Sequence, residues 1–402
     1  MHPVEDIKGT LSTTLHGTRI LLGVTGSIAA IDTIHIARDL IRHDADVIPV
    51  MTPAATHIIH PDALEFATGH TPITHLTGQV EHVQLCGIVT DPIHLVLLPA
   101  CTANTISKIA HGIDDTPVTT CVTTALGSHI PILLIPAMHG SMYTNTIVQH
   151  NIQTCRNTGI HILEPRTDRT KARPPDRPTI TATVTRLLTP QTYHDTRLLI
   201  IGGATAEPID DIRILTNRSS GKIAVALAQT AYEHGATIDL WYGNATEPVP
   251  PYITHTPFTT THDLLTLIKK TRPNTYHGII VCAAIANYIP HPTPGKIPSG
   301  KHTLILTCHP APNILEALRK KAPTTPIIAF KAETTKANLR RKTQALITHH
   351  HLQGAVGNTL TAFGARNTEI LILTPKGKAL WKTGTKPELA KEILKMFKPT
   401  LT

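Results

Sequence analysis

The 402-residue chain carries 37 Lys and Arg against 28 Asp and Glu, with 41% hydrophobic and only 3% aromatic residues. That length exceeds one ordinary hydrophobic core, so two domains are expected; no apolar run approaches the roughly 20 residues of a membrane span, and residues 1–6 lack the basic-then-apolar order of a signal peptide, so a soluble cytoplasmic protein is expected. The formal charge of +9 comes from Lys and Arg that are scattered and not interleaved with aromatics, which argues against a nucleic-acid surface and suits a protein that handles phosphates and carboxylates.

In chain order, residues 19–24 read as a first buried strand, followed by Thr25-Gly26-Ser27-Ile28-Ala29-Ala30 and a helix to about residue 43. Residues 47–51 form the next strand, and 94–98 and 131–135 are further short apolar runs, each followed by a turn and a helical pattern. Strands alternating with helices predict a parallel sheet covered on both faces, whose ligands sit beyond the strand C-termini. The residues able to do chemistry fall there: Gly26-Ser27, Thr52, Pro99-Ala100-Cys101-Thr102-Ala103-Asn104 and Pro136-Ala137-Met138-His139. Gly23-Val24-Thr25-Gly26 has the wrong spacing for G-x-G-x-x-G, which weakens a nicotinamide reading. Residues 179–188 close the first domain as a helix. The turn-rich connector 189–195 places the boundary near 191, giving domains 1–190 and 191–402.

The second domain opens with a short strand at 198–201, and Gly202-Gly203 then allow backbone to approach a ligand closely. The stretch continues through Glu207-Pro208-Ile209-Asp210-Asp211-Ile212-Arg213 and Thr216-Asn217-Arg218-Ser219-Ser220-Gly221-Lys222 into an alanine-rich helix at 223–234. Free helix N–H groups, two hydroxyls, Lys222 and Arg213 are offered there to an anion. A strand at 237–242, a helix at 263–271 and a strand at 278–282 continue the α/β rhythm, and a proline-rich loop leads to Gly295-Lys296-Ile297. Pro312-Asn313-Ile314-Leu315 starts a helix, and residues 327–334 end a strand in Phe330-Lys331-Ala332-Glu333-Thr334. Six cysteines form no C-x-x-C pair and no disulfide framework, and the 26 histidines include no H-E-x-x-H. His349-His350-His351 reads as a solvated or helix-C-terminal run rather than a metal site.

These motifs resemble the bifunctional phosphopantothenoylcysteine decarboxylase / phosphopantothenate–cysteine ligase family of coenzyme A biosynthesis. The Gly-rich turn, Glu207-Pro208-Ile209-Asp210, Arg213 and Thr216 to Lys222 carry the resemblance in the ligase half, over about residues 197–398. Gly26 to Ala30 and Ala100 to Asn104 carry it in the flavin half, over most of residues 19–163. The implied fold is α/β, with two doubly wound parallel-sheet domains of the Rossmann or flavodoxin-like kind.

The resemblance implies FMN held by Gly26, Ser27, Ile28, Thr52, Ala100, Thr102, Ala103 and Asn104, with Cys101 interposed in the family's Pro-Ala-Thr-Ala-Asn element. Glu81-His82-Val83-Gln84-Leu85 carries the family's catalytic histidine, so His82 is the base candidate, histidine being the side chain most often used for proton transfer. Met138 and His139 fall in the substrate element, where His139 replaces an asparagine that binds the substrate carboxylate. Many members carry Ala-Cys-Gly in a flap, whose cysteine protonates the product; residues 164–175 have no cysteine, and Cys155 lies upstream. Either another acid, with Lys171 the candidate, completes the reaction, or this half is slower or inactive.

For the ligase half it implies CTP against Val281, Cys282, Ala283, Asn287, Lys296, Pro312, Asn313, Ile314, Leu315 and Phe330, with Asn287 standing where the family has aspartate. Arg213, Asn217, Ser219, Ser220, Gly221 and Lys222 would bind substrate. Asn217 would handle the activated acyl intermediate, and Lys296 would stabilise phosphate charge in the transition state. Mg2+ is expected on the triphosphate, with no protein metal ligand assigned. The family's lysines near residues 349–351 have no counterpart, and Asn358 and Phe363-Gly364-Ala365 complete the pattern. The implied function is ligation of 4′-phosphopantothenate to cysteine through an acyl-cytidylate, then flavin-dependent decarboxylation to 4′-phosphopantetheine. A ligase with a non-catalytic, regulatory flavin domain is the alternative. The implied assembly is a homo-dodecamer built from trimeric and dimeric contacts, with no nucleic-acid or membrane partner.

Overall fold

In the strand Arg19–Val24 (β1), Ile20, Leu22 and Val24 enter one hydrophobic cluster while Leu21 enters another. Side chains alternate along a strand, so each set occupies one face of the sheet. The same division holds for β2 (Asp46–Met51), β3 (Leu95–Cys101) and β4 (Ile132–Pro136). Strands buried on both faces read as continuous apolar runs because helices cover the two sides.

The computed structural model describes residues 2–168, 170–299, 303–359 and 367–400, and divides the chain into two units, Met1–Thr189 and Pro190–Thr402. Arg169 and the Phe363-Gly364-Ala365 element lie outside the described residues. Three short strands, β5 (Met138–His139), β7 (Arg166–Thr167) and β8 (Lys171–Arg173), form a separate small sheet in the first unit, and β6 (His161–Ile162) is the last strand of the main one. The main sheet has the order β2-β1-β3-β4-β6, and every pairing in it is parallel. Strand β3 runs through Pro99 and Ala100 to Cys101, beyond the expected end at residue 98. Proline lacks a ladder N–H, and the register against β4 shifts between Leu98 and Cys101 to pass it. Pro49 lies in β2 at the sheet edge, where such a residue is tolerated, and Pro136 is the last residue of β4.

The second unit contains β9 (Arg197–Gly202), β10 (Ala206–Pro208), β11 (Ile214–Thr216), β12 (Thr237–Tyr242), β13 (His255–Pro257) and β14 (Gly278–Val281). It continues with β15 (Tyr288–Pro290), β16 (Cys308–Pro310), β17 (Ile327–Glu333), β18 (Gly354–Thr359), β19 (Asn367–Leu373) and β20 (Ala379–Thr385). Its large sheet has the order β13-β12-β9-β14-β17-β18-β19-β20, parallel from β13 to β18 and antiparallel over the last two strands. Leu198 and Ile200 of β9 face one core while Leu199 and Ile201 face the other. Both units are doubly wound α/β structures. Their cores are filled mainly by Ile, Leu, Val and Ala, which is how a chain so poor in aromatics packs. No helix among the described residues is long and apolar enough to cross a membrane.

Each sheet has one place where the chain reverses its direction of strand addition, and crevices for ligands open there. In the first unit it lies between β1 and β3, in the second between β9 and β14. Phe397, fully buried near the C-terminus, closes one core of the second unit. Phe397→Ala is expected to cost about 3–5 kcal/mol, seen in denaturant titration as an earlier transition of that unit with the first unit's transition unchanged.

Candidate active sites at the strand ends

In the first unit, four strand ends are stitched into one row. The buried Thr25 hydroxyl donates to the Ala100 carbonyl (2.7 Å) and accepts from the Thr102 N–H (3.1 Å), joining the ends of β1 and β3. The Thr52 N–H donates to the Val24 carbonyl (3.0 Å) and joins β2 to β1, while the Ala137 N–H donates to Cys101 (2.8 Å) and joins β4 to β3. Gly26 must be glycine for space: a Cβ there would lie 2.7 Å from the Ala54 Cβ.

Three hydroxyls begin helical segments along this row. Ser27 accepts from the Ala29 N–H, Thr52 from Ala55 and Thr102 from Thr105. A capping oxygen used as acceptor retains its own O–H to donate; that of Thr102 goes to the Thr105 hydroxyl (3.2 Å), which leaves Ser27 and Thr52 as the donors toward a ligand. Ile28 is exposed, Ala100 and Ala103 are buried, and Asn104 is exposed in the first turn of the helix Ala103–Ala110. The flavin candidates around the β1–β3 crevice are therefore brought together.

His82 lies on the short helix Glu81–Cys86, entered through Val80 at φ 50°. Left-handed backbone at a β-branched residue is strained. Among the described residues, the His82 Nδ1 is buried with no hydrogen-bond partner. A buried polar atom left without a partner is costly unless a bound group completes it. The close approach at Gly26 and the hydroxyls of Ser27 and Thr52 fit a phosphate-bearing flavin.

The flap is a hairpin. Strand β8 pairs with β7 on one side and with β5 on the other, placing Lys171 directly opposite His139 and Ala172 opposite Met138. Directly opposed residues present their side chains on one face. His139, Ser141, Tyr143, Thr167, Asp168 and Lys171 line a cavity of about 300 Å³. The His139 Nδ1 accepts from the Ser141 N–H (3.3 Å), capping the turn Gly140–Tyr143. Asp168 pins the hairpin tip: its Oδ1 accepts from the Thr170 N–H and hydroxyl (both 2.8 Å) and from the Lys171 N–H (2.7 Å). Those donors hold its carboxyl down to about 2. Cys155 does not substitute for the flap thiol, since it is fully buried and burial pushes it up to about 11.

In the second unit the β9 end turns at Gly203, whose φ of 80° is left-handed. The next residues bridge both neighbours, Ala204 to Asn244 beyond β12 and to Ala284 beyond β14. The buried Thr205 repeats the role of Thr25: its N–H donates to the Ala284 carbonyl (3.3 Å) and its hydroxyl accepts from the Ala286 N–H (2.9 Å). The Asn217 carboxamide donates to the same Ala284 carbonyl (3.0 Å).

Asp210 organises the loop that carries Arg213 and Lys296. Its Oδ1 accepts from the Ile212 (2.9 Å) and Arg213 (2.6 Å) N–H groups, and its Oδ2 from the Ile297 N–H (3.1 Å) and the Arg213 guanidinium. Arg213 also donates to the Ile297 carbonyl (3.2 Å), so Arg213 and the residue beside Lys296 share one anchor. Lys296 itself is exposed. Burial alone would raise the Asp210 carboxyl, but the N–H donors of Arg213, Ile212 and Ile297 and the Arg213 side chain hold it at about 2. Glu207 is likewise structural: it accepts from the Thr261 N–H (2.9 Å) and hydroxyl (2.6 Å) at the start of the helix Thr261–Lys270.

Ser219 and Ser220 precede Gly221, the N-cap of the helix Lys222–Glu233; the Ser220 hydroxyl accepts from the Lys222 N–H (3.5 Å), and the Lys222 side chain is exposed. Val281 is buried at the end of β14, and burial pushes the Cys282 thiol up to about 12 while it donates to the Ile201 carbonyl (3.3 Å). Cys282 and Ala283 thus offer backbone, not thiolate. Val281 pairs with Ala329, so Cys282 and Phe330 follow as neighbours on adjoining strands. The Asn287 carbonyl accepts from the Ala311 N–H (2.9 Å), bringing that loop beside Pro312. Asn313 is occupied in capping the helix Ile314–Lys321 through the Leu315 and Glu316 N–H groups, and Ile314 is buried. Asn313 and Ile314 therefore shape the site from beneath.

Two doubly wound sheets, each with a crevice at its switch point, are a fold of the kind that binds nucleotides and flavins. A family model described as Flavoprotein matches residues 8–189, and one described as DNA/pantothenate metabolism flavoprotein C-terminal domain matches residues 193–400. The coenzyme A biosynthesis bifunctional protein of Thermococcus kodakarensis is 39% identical over 98% of both chains. The corresponding protein of Methanocaldococcus jannaschii is 32% identical over 99% of this chain and 98% of its own. A crystal structure of the C-terminal domain of such a protein is 27% identical, with a TM-score of 0.44, covering 52% of this chain and 98% of that one. The chain belongs to the family of bifunctional coenzyme A biosynthesis proteins and carries that family's flavoprotein module.

The depressed Asp210 carboxyl ties stability to acid. Its contribution is complete above the unfolded value near 3.9 and is lost as pH falls from about 4 through 2. Asp210→Asn should be less stable than wild type at neutral pH and should flatten the acid limb, in urea titrations of the second unit between pH 5 and 2.

Proposed function

We propose that the second unit joins 4′-phosphopantothenate to cysteine with CTP, and that the first unit decarboxylates the product to 4′-phosphopantetheine. The observation that carries this reading is the anchoring of Arg213 and the Lys296 loop on Asp210, with Asn217 bonded to the Ala284 carbonyl beyond β14. The substrate carboxylate attacks the α-phosphorus of CTP, forming an acyl-cytidylate as pyrophosphate leaves. Cysteine nitrogen then attacks the acyl carbon, and the C–O bond to CMP breaks. Arg213 and Lys296 bring positive charge to groups that carry negative charge throughout. The first turn of the helix Lys222–Glu233, with the exposed Lys222 side chain, offers an anion site to a phosphate. Asn217, oriented by its bond to Ala284, presents its remaining amide polarity to the acyl group. Asp210 and Asp211 accept backbone N–H groups. Mg2+ would therefore ride on the nucleotide phosphates, as that ion commonly does.

In the first unit, FMN is the proposed cofactor, with its phosphate at Gly26, Ser27 and Thr52. When bound, the flavin supplies the two-electron oxidation of the cysteinyl thiol and its later reversal. His82 removes a proton from the substrate at its imidazole. His139 hydrogen-bonds the substrate carboxylate, and Lys171, opposite it, delivers a proton after CO2 has left. A ligase with a non-catalytic flavin domain is the second reading, favoured by the absence of cysteine from residues 164–175.

Single-turnover product analysis of variants separates these roles. His82→Asn should still ligate but accumulate phosphopantothenoylcysteine. Lys171→Met should retain flavin while slowing decarboxylation ~10²–10⁴-fold. Lys296→Gln should slow ligation ~10²–10³-fold. Decarboxylation at the wild-type rate by His82→Asn would contradict the assignment of the base.

A further inference from the structure

The histidine run at 349–351 is absorbed by neither reaction, and it is not uniformly solvated. His350 is the last residue of the helix Lys336–His350 and only 5% exposed, whereas His349 faces solvent. Glu316, on the helix Ile314–Lys321, faces this pair, and one ligand-type atom from each of Glu316, His349 and His350 lies within 4.8 Å of the others.

We propose that Glu316, His349 and His350 form a binding site for one divalent transition-metal ion of the zinc class. Two imidazoles and one carboxylate are a donor set such ions accept, with water in the fourth position. With metal–ligand bonds of about 2.0–2.2 Å, tetrahedral ligand atoms stand roughly 3.3 Å apart. The His349 Nε2 and a Glu316 carboxylate oxygen are 3.7 Å apart, so closure on an ion needs only a small side-chain adjustment. The rings of His349 and His350 meet edge to face with centroids 4.6 Å apart. A single carboxylate suits Ca2+ and Mg2+ poorly, since these prefer several oxygen ligands.

The surroundings hold the donors in place. The Asn313 carboxamide donates to the Glu316 Oε1 (3.0 Å), orienting the carboxylate as outer partners of metal ligands do. Arg319 donates to the carbonyls of His350 (3.2 Å) and His351 (2.9 Å) and so fastens the end of one helix to the other. Zinc bound there would clamp the two helices.

The test is zinc titration of the full chain after chelator treatment and dialysis, by calorimetry and by thermal shift, with Co2+ absorption as a coordination signature. His349→Asn and Glu316→Gln are the variants, because both positions are exposed and neither supports a core. Wild type should bind one equivalent of Zn2+ that both variants lose or bind at least tenfold more weakly, and Zn2+ should raise the melting temperature of wild type alone. Equal stoichiometry and affinity in wild type and both variants would overturn the proposal, as would a wild type that binds no Zn2+. Ligase activity retained in the variants confirms that they are folded.

Discussion

Thr25 and Thr205 hold together the strand ends between which each sheet reverses direction. Neighbouring parallel strands part there, and the N–H and C=O groups beyond the last ladder bond must find other partners or remain costly. Each threonine supplies them within its own unit, Thr25 to Ala100 and Thr102, Thr205 to Ala284 and Ala286. Both side chains are essentially buried. With these bonds made, the loops that carry Gly26, Ser27 and Thr102 in one unit, and Asn217 and Ala283 in the other, have fixed positions. Without them, the crevices would be mobile turns with the same residues in no particular arrangement.

A second constraint follows from charge. In the stretch from Glu207 to Arg213, both buried carboxylates act on the protein itself. Glu207 starts a helix, and Asp210 gathers backbone donors from two loops. The cations of this region include Arg213, partly offset by Asp210, and Lys222 and Lys296, which are exposed. The proposed substrates, a triphosphate and two carboxylates, would gain from that imbalance. The anionic residues most visible in the motif thus serve the site by shaping it.

Much of this was legible in the sequence. The apolar runs at 19–24, 198–201 and 237–242 became β1, β9 and β12 because strands covered on both faces need little else. The residues after those runs formed the crevices for the reason Gly26 and Gly203 suggested, close approach of backbone. Less was legible where tertiary contact decides. Pro99 reads as a strand end, yet β3 continues past it because a register shift accommodates the missing donor. The flap hairpin carries no hydrophobic pattern; it forms because Asp168 closes its tip and β5 offers an edge. The role of Thr25 has no local signal, since its partners Ala100 and Thr102 lie 75 and 77 residues away. His349 to His351 read as a solvated or helix-C-terminal run, and His350 does end the helix Lys336–His350, but it is buried beside Glu316 and Arg319 of the neighbouring helix, which no local pattern announces.

The central claim is that one chain performs both reactions in sequence. The measurement that tests it most directly is mass-spectrometric analysis of the products formed by the purified full-length protein from 4′-phosphopantothenate, cysteine, CTP, Mg2+ and FMN. The account predicts 4′-phosphopantetheine together with CO2, CMP and pyrophosphate. A reaction that stops at phosphopantothenoylcysteine would contradict the catalytic role of the first unit, and the absence of any amide product would contradict the account of both.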